Sequence, residues 1–361
     1  MLRPVVDVVD PLSDSLMPSS TNAAKKPRPR EPRMDNGVVS RGEREALHRR
    51  LKTGPMYETW HWLAFNFAPE PGGETPFASI TLDALPRCDA VMPGYADAML
   101  TTLESIGGRD RDMDDYESIR QWLGELVVVR HFVTWPWPTT VTFEYEPTAP
   151  GFATKPEITI TAPCWRLGIE VKTPDLRQLA GNRTRNDWQM LARVPGGREG
   201  MPGSITLPRD NPVKDFLVSA DRKFAGFRKQ DKTFRSVLVI VWDDFINEPL
   251  SALKSPASGL LTSKTFHVDD NGRPHKYPNV DVVVLLRQQH QLKEGMANRP
   301  PIDERYSFLD YGGLKRFPPN AVVVNPNGQP LNEAMVQSLQ AYPPDISMGA
   351  EYEPAELVIW V

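Results

Sequence analysis

The sequence predicts an α/β domain with a mixed central sheet at residues 113–290, flanked by N- and C-terminal extensions. An apolar stripe with helical spacing is followed by three short segments that alternate like strands. A second amphipathic helix comes next, and then a near-continuous apolar run, which is typical of a strand buried on both faces. Proline accounts for 36 of the 361 residues, so much of the chain outside these elements is expected in loops and turns.

The first helix is predicted to begin near Asp114. Asp114 and Glu117 have the spacing of a capping box, in which side chains at the first turn accept the unpaired backbone N–H groups. The residues that follow place one apolar stripe along the helix: Ile119, Trp122, Leu123, Leu126 and Val133. This stripe is the face that we expect to pack on the sheet.

The other core elements follow in a fixed order. Three strand candidates, a helix, a buried strand and one more strand are expected at 139–146, 156–163, 166–173, about 212–229, 236–244 and 281–286. Asn271 and Gly272 mark a hairpin turn before the last of them. The core order is therefore helix, three strands, helix, strand.

The flanking segments differ in composition from the core. Residues 1–50 predict a disordered arm, and its basic stretch KKPRPREPR (25–33) fits either a phosphate backbone or a solubilising tail. Residues 51–112 predict a helical accessory segment. Residues 291–361 predict a proline-rich extension wrapped on the core, with strand-like runs at 321–324 and 357–361.

Composition excludes several classes of protein. A net charge of −4 confines any nucleic-acid surface to a local patch, and two cysteines cannot supply a disulfide framework. No run reaches the roughly 18 apolar residues of a membrane span, and acids near the N-terminus spoil a signal peptide. The histidines show no metal-binding spacing. We expect a cytoplasmic protein without membrane contact.

Two carboxylates and a lysine form the strongest candidate site. A two-residue turn at Pro163 and Cys164 pairs residues whose numbers add up to 327, and Glu157 and Glu170 form such a pair. Their Cβ atoms would lie about 4.5 to 5.5 Å apart on one face, and Lys172 points to that face too. Such like charges are destabilising unless a cation lies between them, and Mg²⁺ takes carboxylate oxygens. The pattern therefore predicts a magnesium site.

These motifs resemble the PD-(D/E)xK nuclease superfamily over about 113–290. Pro156-Glu157 is similar to its Pro-Asp element, with glutamate replacing aspartate, and Glu170-Val171-Lys172 is similar to its (D/E)xK element. The resemblance implies a restriction-endonuclease-like core. It also implies that the acids bind Mg²⁺ (or Mn²⁺), that the lysine positions and helps deprotonate the attacking water, and that DNA is the substrate. A role in restriction or defence against foreign DNA is implied by the same analogy.

Further site residues come from the two helices. Members of this superfamily often add an acid from the first helix. A helical wheel places Glu125 on the margin of the apolar stripe and Glu117 opposite it, so Glu125 is the preferred third metal ligand. Lys223 borders the apolar face of the second helix. Its ammonium group either reaches the site, as the resemblance implies, or extends to solvent.

A locally basic segment follows the candidate site. Residues 177–235 contain 13 basic and 6 acidic residues, in a chain of net charge −4. A phosphate backbone is expected to lie there, with Arg183 and Arg185 as contacts and Trp188 as a base-stacking residue.

Two functions of different classes remain open. The first is a Mg²⁺-dependent deoxyribonuclease. The second is a catalytically inactive nuclease-fold protein that binds nucleic acid, a protein partner or a second copy of itself. The glutamate at position 157 and the long extensions keep the second function open, and metal-dependent cleavage of a plasmid separates the two.

Overall fold

The structure, a computed structural model, describes eight stretches of the chain: residues 41–59, 61–67, 74–108, 112–176, 188–191, 193–194, 205–344 and 348–355. Its N-terminal part is a layer of helices: α1 (Arg41–Thr53), α2 (Pro55–Glu58), α3 (Ala64–Phe67), α4 (Pro76–Asp89) and α5 (Tyr95–Ser105). Residues 41–50, assigned to the arm from their polar composition, thus belong to a helix, and Leu51 on α1 is buried in the core. The basic stretch at 25–33 lies outside the described residues.

Helix α6 (Met113–Thr134) lies between this layer and the sheet. Its N-cap is Asp112, whose carboxylate accepts backbone N–H groups of the first turn, so the predicted start at Asp114 is two residues late. On its outer side, the Trp122 indole donates to the carbonyl oxygen of Met99 on α5, 2.8 Å away. Because α6 is covered on both sides, Glu117 is buried as well, and it forms an ion pair with Arg120. The helical wheel placed Glu117 opposite the apolar stripe and did not predict its burial.

A seven-stranded mixed sheet forms the centre of the described chain. It is built in the order β1 (Thr142–Tyr145), β2 (Ile158–Ala162), β3 (Trp165–Lys172), β6 (Phe234–Trp242), β7 (Val282–Arg287), β8 (Asn320–Val324) and β9 (Ala341–Tyr342). Strand β2 is antiparallel to both of its neighbours, β1 and β3, whereas β3, β6 and β7 run parallel to one another. The predicted α/β class with a mixed central sheet is confirmed.

The remaining elements connect or flank these strands. They are β4 (Trp188–Gln189) and β5 (Ile205–Thr206), which pair with each other, and the helices α7 (Pro212–Gln230), α8 (Asn247–Lys254), α9 (Gln289–Met296) and α10 (Glu333–Ser338). The C-terminal extension contributes β8 and β9 to the central sheet, so it is part of the core rather than a wrapping. The second strand-like run, at 357–361, lies outside the described residues.

Two apolar cores cover the two faces of the sheet. One contains α6 and the accessory helices, together with the side chains of Ile169 and Val171 on β3. The other contains α7 and α8, whose apolar residues pack on alternate positions of β6 such as Leu238 and Ile240. Residues of β3 that point away from α6 therefore face α7. None of the helices in the described part of the chain combines the length and the apolarity that a bilayer crossing requires.

Candidate metal and catalytic site

The hairpin of β2 and β3 has the predicted register. Ala162 pairs with Trp165 across the two-residue turn, and Ile158 pairs with Ile169 at the other end of β2. Glu157 lies in a bend just before β2, and its backbone N–H donates to the carbonyl oxygen of Ile169, 3.0 Å away. The paired ladder thus ends one residue short of Glu157, and the hairpin still brings this residue to the end of the strand that carries Glu170.

Glu170 is the centre of the site, and it is completely buried. It pairs in register with Leu238 of the core on the α7 side, so Glu170 and Lys172 both face α7. The Nζ atom of Lys172 lies 2.7 Å from Glu170 Oε1. Gly168 lies two residues earlier on the same face, and a Cβ there would lie 2.5 Å from the Phe234 ring of β6 and 3.0 Å from the Phe224 ring of α7. The absence of a side chain at this position thus allows the close approach of α7 to the strand.

Lys223 on α7 joins the two carboxylates. Its Nζ atom lies 2.7 Å from Glu170 Oε1, 2.9 Å from Glu170 Oε2 and 3.8 Å from Glu157 Oε1. Of the two positions predicted for this lysine, the structure has the one in which the ammonium group reaches the site. Glu157, Glu170, Lys172 and Lys223 therefore lie together on one face of the sheet.

The formal charges of two acids and two lysines cancel, but burial still disfavours the ionised form of Glu157. Burial is the largest cause that raises the pKa of Glu157, to about 7, and the nearby charge of Glu170 adds to the rise, while Lys223 and Lys172 oppose it. Desolvation and the neighbouring acid together outweigh the two lysines. This imbalance favours a proton or an additional cation at Glu157.

Stability in a metal-free buffer should reveal this imbalance. The raised pKa means that the folded chain binds a proton between about pH 4.5 and 7 that the unfolded chain releases, so Glu157 disfavours folding increasingly as pH rises through 7. We expect Glu157→Gln to raise the free energy of unfolding at pH 8 by on the order of 3 kcal/mol, and by little at pH 4. Urea unfolding in EDTA measures this, with Glu58→Gln on the exposed end of α2 as the control. A Glu157→Gln protein that is less stable than wild type at pH 8 would contradict the assignment.

Glu125 approaches the site from the other side of the sheet. The Tyr145 hydroxyl on β1 donates to its carboxyl group, and its Oε1 atom is buried without a hydrogen-bond partner among the described residues. Burial raises the pKa of Glu125 well above its ordinary value, and the charge of Glu157 adds to this rise. The two acids are thus within electrostatic range, while the role of Glu125 as a third ligand stays a prediction.

Most of the predicted nucleic-acid contacts lie outside the described residues. Arg183 and Arg185 lie outside the described residues, and only the backbone of Trp188 is described, as the start of β4. Other cations of the basic segment have structural partners. Arg228 is buried against Asp281, and Arg209 forms ion pairs with two acids, Asp243 and Glu248. The surplus of positive charge in residues 177–235 therefore overstates what is free to contact a phosphate backbone.

Sequence reasoning missed two residues near the acid pair, by which we mean Glu157 and Glu170. Tyr145 holds Glu125, and Glu146 donates its backbone N–H to the carbonyl oxygen of Glu157, 2.8 Å away. The Glu146 charge also raises the pKa of Glu157. The alternation in TFEYE was a usable signal, because it places Tyr145 on the same face of β1 as Phe143, which packs against the core of α6.

The acid pair suits a hard divalent cation. Mg²⁺ is commonly held by one or two carboxylates, with water and substrate phosphate as the other ligands. Glu157 and Glu170 supply two carboxylates, of which Glu170 is fully buried and Glu157 has a pKa raised mainly by burial. Within the described ranges, no group of three or more His, Cys, Asp or Glu side chains lies close enough to hold a metal ion. A metal at this place would therefore be held by the two acids and completed by water or substrate.

Comparison of the chain with protein-family models, with curated proteins and with solved structures found no match. A function for this protein is therefore inferred from the geometry of the site.

Proposed function

We propose that this protein is a metal-dependent nuclease that hydrolyses phosphodiester bonds in DNA. The observation that carries the proposal is the buried carboxylate of Glu170, contacted by Lys172 and by Lys223, which also lies 3.8 Å from Glu157. Surface ion pairs contribute little to stability, and burying charges is costly. A catalytic or metal-binding role therefore explains this largely buried group of two acids and two lysines better than a contribution to stability does.

The topology supports the same proposal. Helix α6, strands β1 to β3, helix α7 and strand β6 occur along the chain in the order helix, three strands, helix, strand, with the short pair β4 and β5 between β3 and α7. Strand β3, which carries Glu170 and Lys172, is antiparallel to β2 and parallel to β6. This arrangement is the basis for proposing a restriction-endonuclease-like core, and with it a role in restriction or in defence against foreign DNA.

The residues have distinct roles in the proposed reaction. Glu157 and Glu170 would hold Mg²⁺ or Mn²⁺, which supplies a Lewis acid for the phosphate and an acidified water. Lys172 projects from the same face as Glu170, and its side chain is 23% exposed, so its ammonium group can contact a phosphate oxygen and the attacking water. A positive charge fixed there stabilises the negative charge that develops on the phosphate. Because Glu170 is buried, its carboxylate would stay in one position during the proposed reaction.

Cleavage of a supercoiled plasmid tests the proposal. We expect the full-length protein to convert the plasmid to nicked or linear DNA in Mg²⁺ or Mn²⁺, and to leave it intact in EDTA. A Glu157→Gln, Glu170→Gln double variant prepared in parallel controls for a contaminating nuclease. If neither metal supports cleavage and the protein still shifts DNA in a gel, the protein is a binding protein with a nuclease-like site. Cleavage by the double variant at the wild-type rate would also reject the proposal.

A further inference from the structure

Lys223 occupies the oxygen atoms that a metal ion would need. Its ammonium nitrogen lies 2.7 and 2.9 Å from the two oxygens of Glu170, and 3.8 Å from the nearer oxygen of Glu157. Among the described residues, these are the ion pairs and hydrogen bonds that join α7 to Glu157 and Glu170. One cation thus already lies between the two carboxylates, at the place where the sequence pattern predicts a divalent one.

Glu170 and Lys223 differ in their exposure to solvent. Glu170 is fixed on β3 and has no exposed surface, whereas the Lys223 side chain is 21% exposed at the end of a flexible four-carbon stem. Lys223 can therefore withdraw towards solvent while the carboxylate stays in place. Lys172 is 2.7 Å from Oε1 of Glu170, and its departure alone would leave Lys223 on both oxygens.

We propose that Lys223 is an internal counter-ion that holds the metal position in the metal-free protein and sets the affinity for the metal by competing with it. The inference rests on the proposed function in one respect, namely that Glu157 and Glu170 are the metal ligands. An ammonium group neutralises the buried acids until the divalent ion arrives, and binding of that ion displaces the ammonium group.

The competition has a measurable consequence. Removing the Lys223 charge removes both the group that must be displaced and a repulsion on the incoming cation, so both effects tighten metal binding. We expect Lys223→Met and Lys223→Gln to bind Mn²⁺ about tenfold more tightly, or better, than the wild-type protein. Lys223→Arg keeps the charge and should keep the affinity within about threefold of wild type.

Electron paramagnetic resonance of free Mn²⁺, titrated with the full-length protein without DNA, gives these dissociation constants. Lys229→Met is the matched control, because Lys229 is exposed on the same helix, outside the acid pair. A second readout is the melting temperature. In EDTA, Lys223→Met should melt below wild type, and saturating Mn²⁺ should raise its melting temperature by more than it raises that of wild type.

The outcomes separate this inference from the nuclease proposal. Tighter Mn²⁺ binding by both neutral variants, with Lys229→Met unchanged, supports competition even if no protein cuts DNA. Unchanged or weaker binding by the neutral variants overturns it even if the wild-type protein cuts DNA. Absence of Mn²⁺ binding in wild type and variants alike also overturns it.

Discussion

Lys172→Ala should lower the rate of DNA cleavage by about 10² to 10⁴ while leaving DNA affinity nearly unchanged. The lysine lies beside the proposed metal ligand, 2.7 Å from Glu170 Oε1, and its proposed contacts are the attacking water and the phosphate under attack. A charge that acts mainly on the transition state contributes to the rate rather than to binding. Single-turnover cleavage and fluorescence anisotropy in EDTA measure the two quantities separately.

Lys229→Ala is the control for this experiment, because it removes a lysine from the exposed end of α7. It should cut at the wild-type rate. If Lys172→Ala cuts as fast as this control, Lys172 is only a partner that neutralises Glu170, and the proposed mechanism is wrong.

Glu170→Gln should also abolish cleavage, with a loss on the order of 10² or more at millimolar Mg²⁺, but for a different reason. The amide keeps the size of the buried side chain and removes the negative charge that would hold the metal. Raising Mn²⁺ should therefore restore part of the Glu170→Gln rate and none of the Lys172→Ala rate. Cleavage titrations with Mn²⁺ for both variants show the difference, and equal responses would contradict the division of roles.

Stability gives a second distinction between the two acids. Glu170 is contacted by two ammonium groups, so Glu170→Gln leaves them without a counter-charge and should lower the melting temperature in EDTA. Burial and the charge of Glu170 disfavour the ionised form of Glu157, so Glu157→Gln should raise the melting temperature at pH 8. A change in packing alone would not explain a melting temperature that falls in Glu170→Gln and rises in Glu157→Gln.

The parts of the fold that sequence predicted are those governed by local patterns. Alternation along β3 placed Glu170 and Lys172 on one face, and the short turn at Pro163 and Cys164 set the register of the hairpin. Hydrophobic periodicity predicted the main helices and strands from 113 to 290 in the same way, but it did not predict β4, β5 or α8. These features depend on neighbours along the chain, which a single sequence contains.

The parts that sequence missed depend on packing between distant segments. The burial of Glu117 could not be predicted from a helical wheel, because α4 and α5 cover the outer side of α6. The position of Lys223 on its helix could not decide whether the ammonium group reaches the site or extends to solvent. In the structure it contacts Glu170, because α7 lies close to β3 at Gly168. The strand β8, placed in an extension by its proline-rich surroundings, pairs with β7 over a long sequence separation.

The central claim is that Glu157 and Glu170 together form a metal centre. Anomalous X-ray scattering from crystals of the full-length protein grown with Mn²⁺ tests it most directly, because the signal locates the ion without reference to activity. The account predicts an anomalous peak within coordination distance, about 2.0 to 2.2 Å, of carboxylate oxygens from both glutamates, with the Lys223 ammonium group moved away. A Mn²⁺ ion bound elsewhere, with Lys223 still between the two acids, would contradict it.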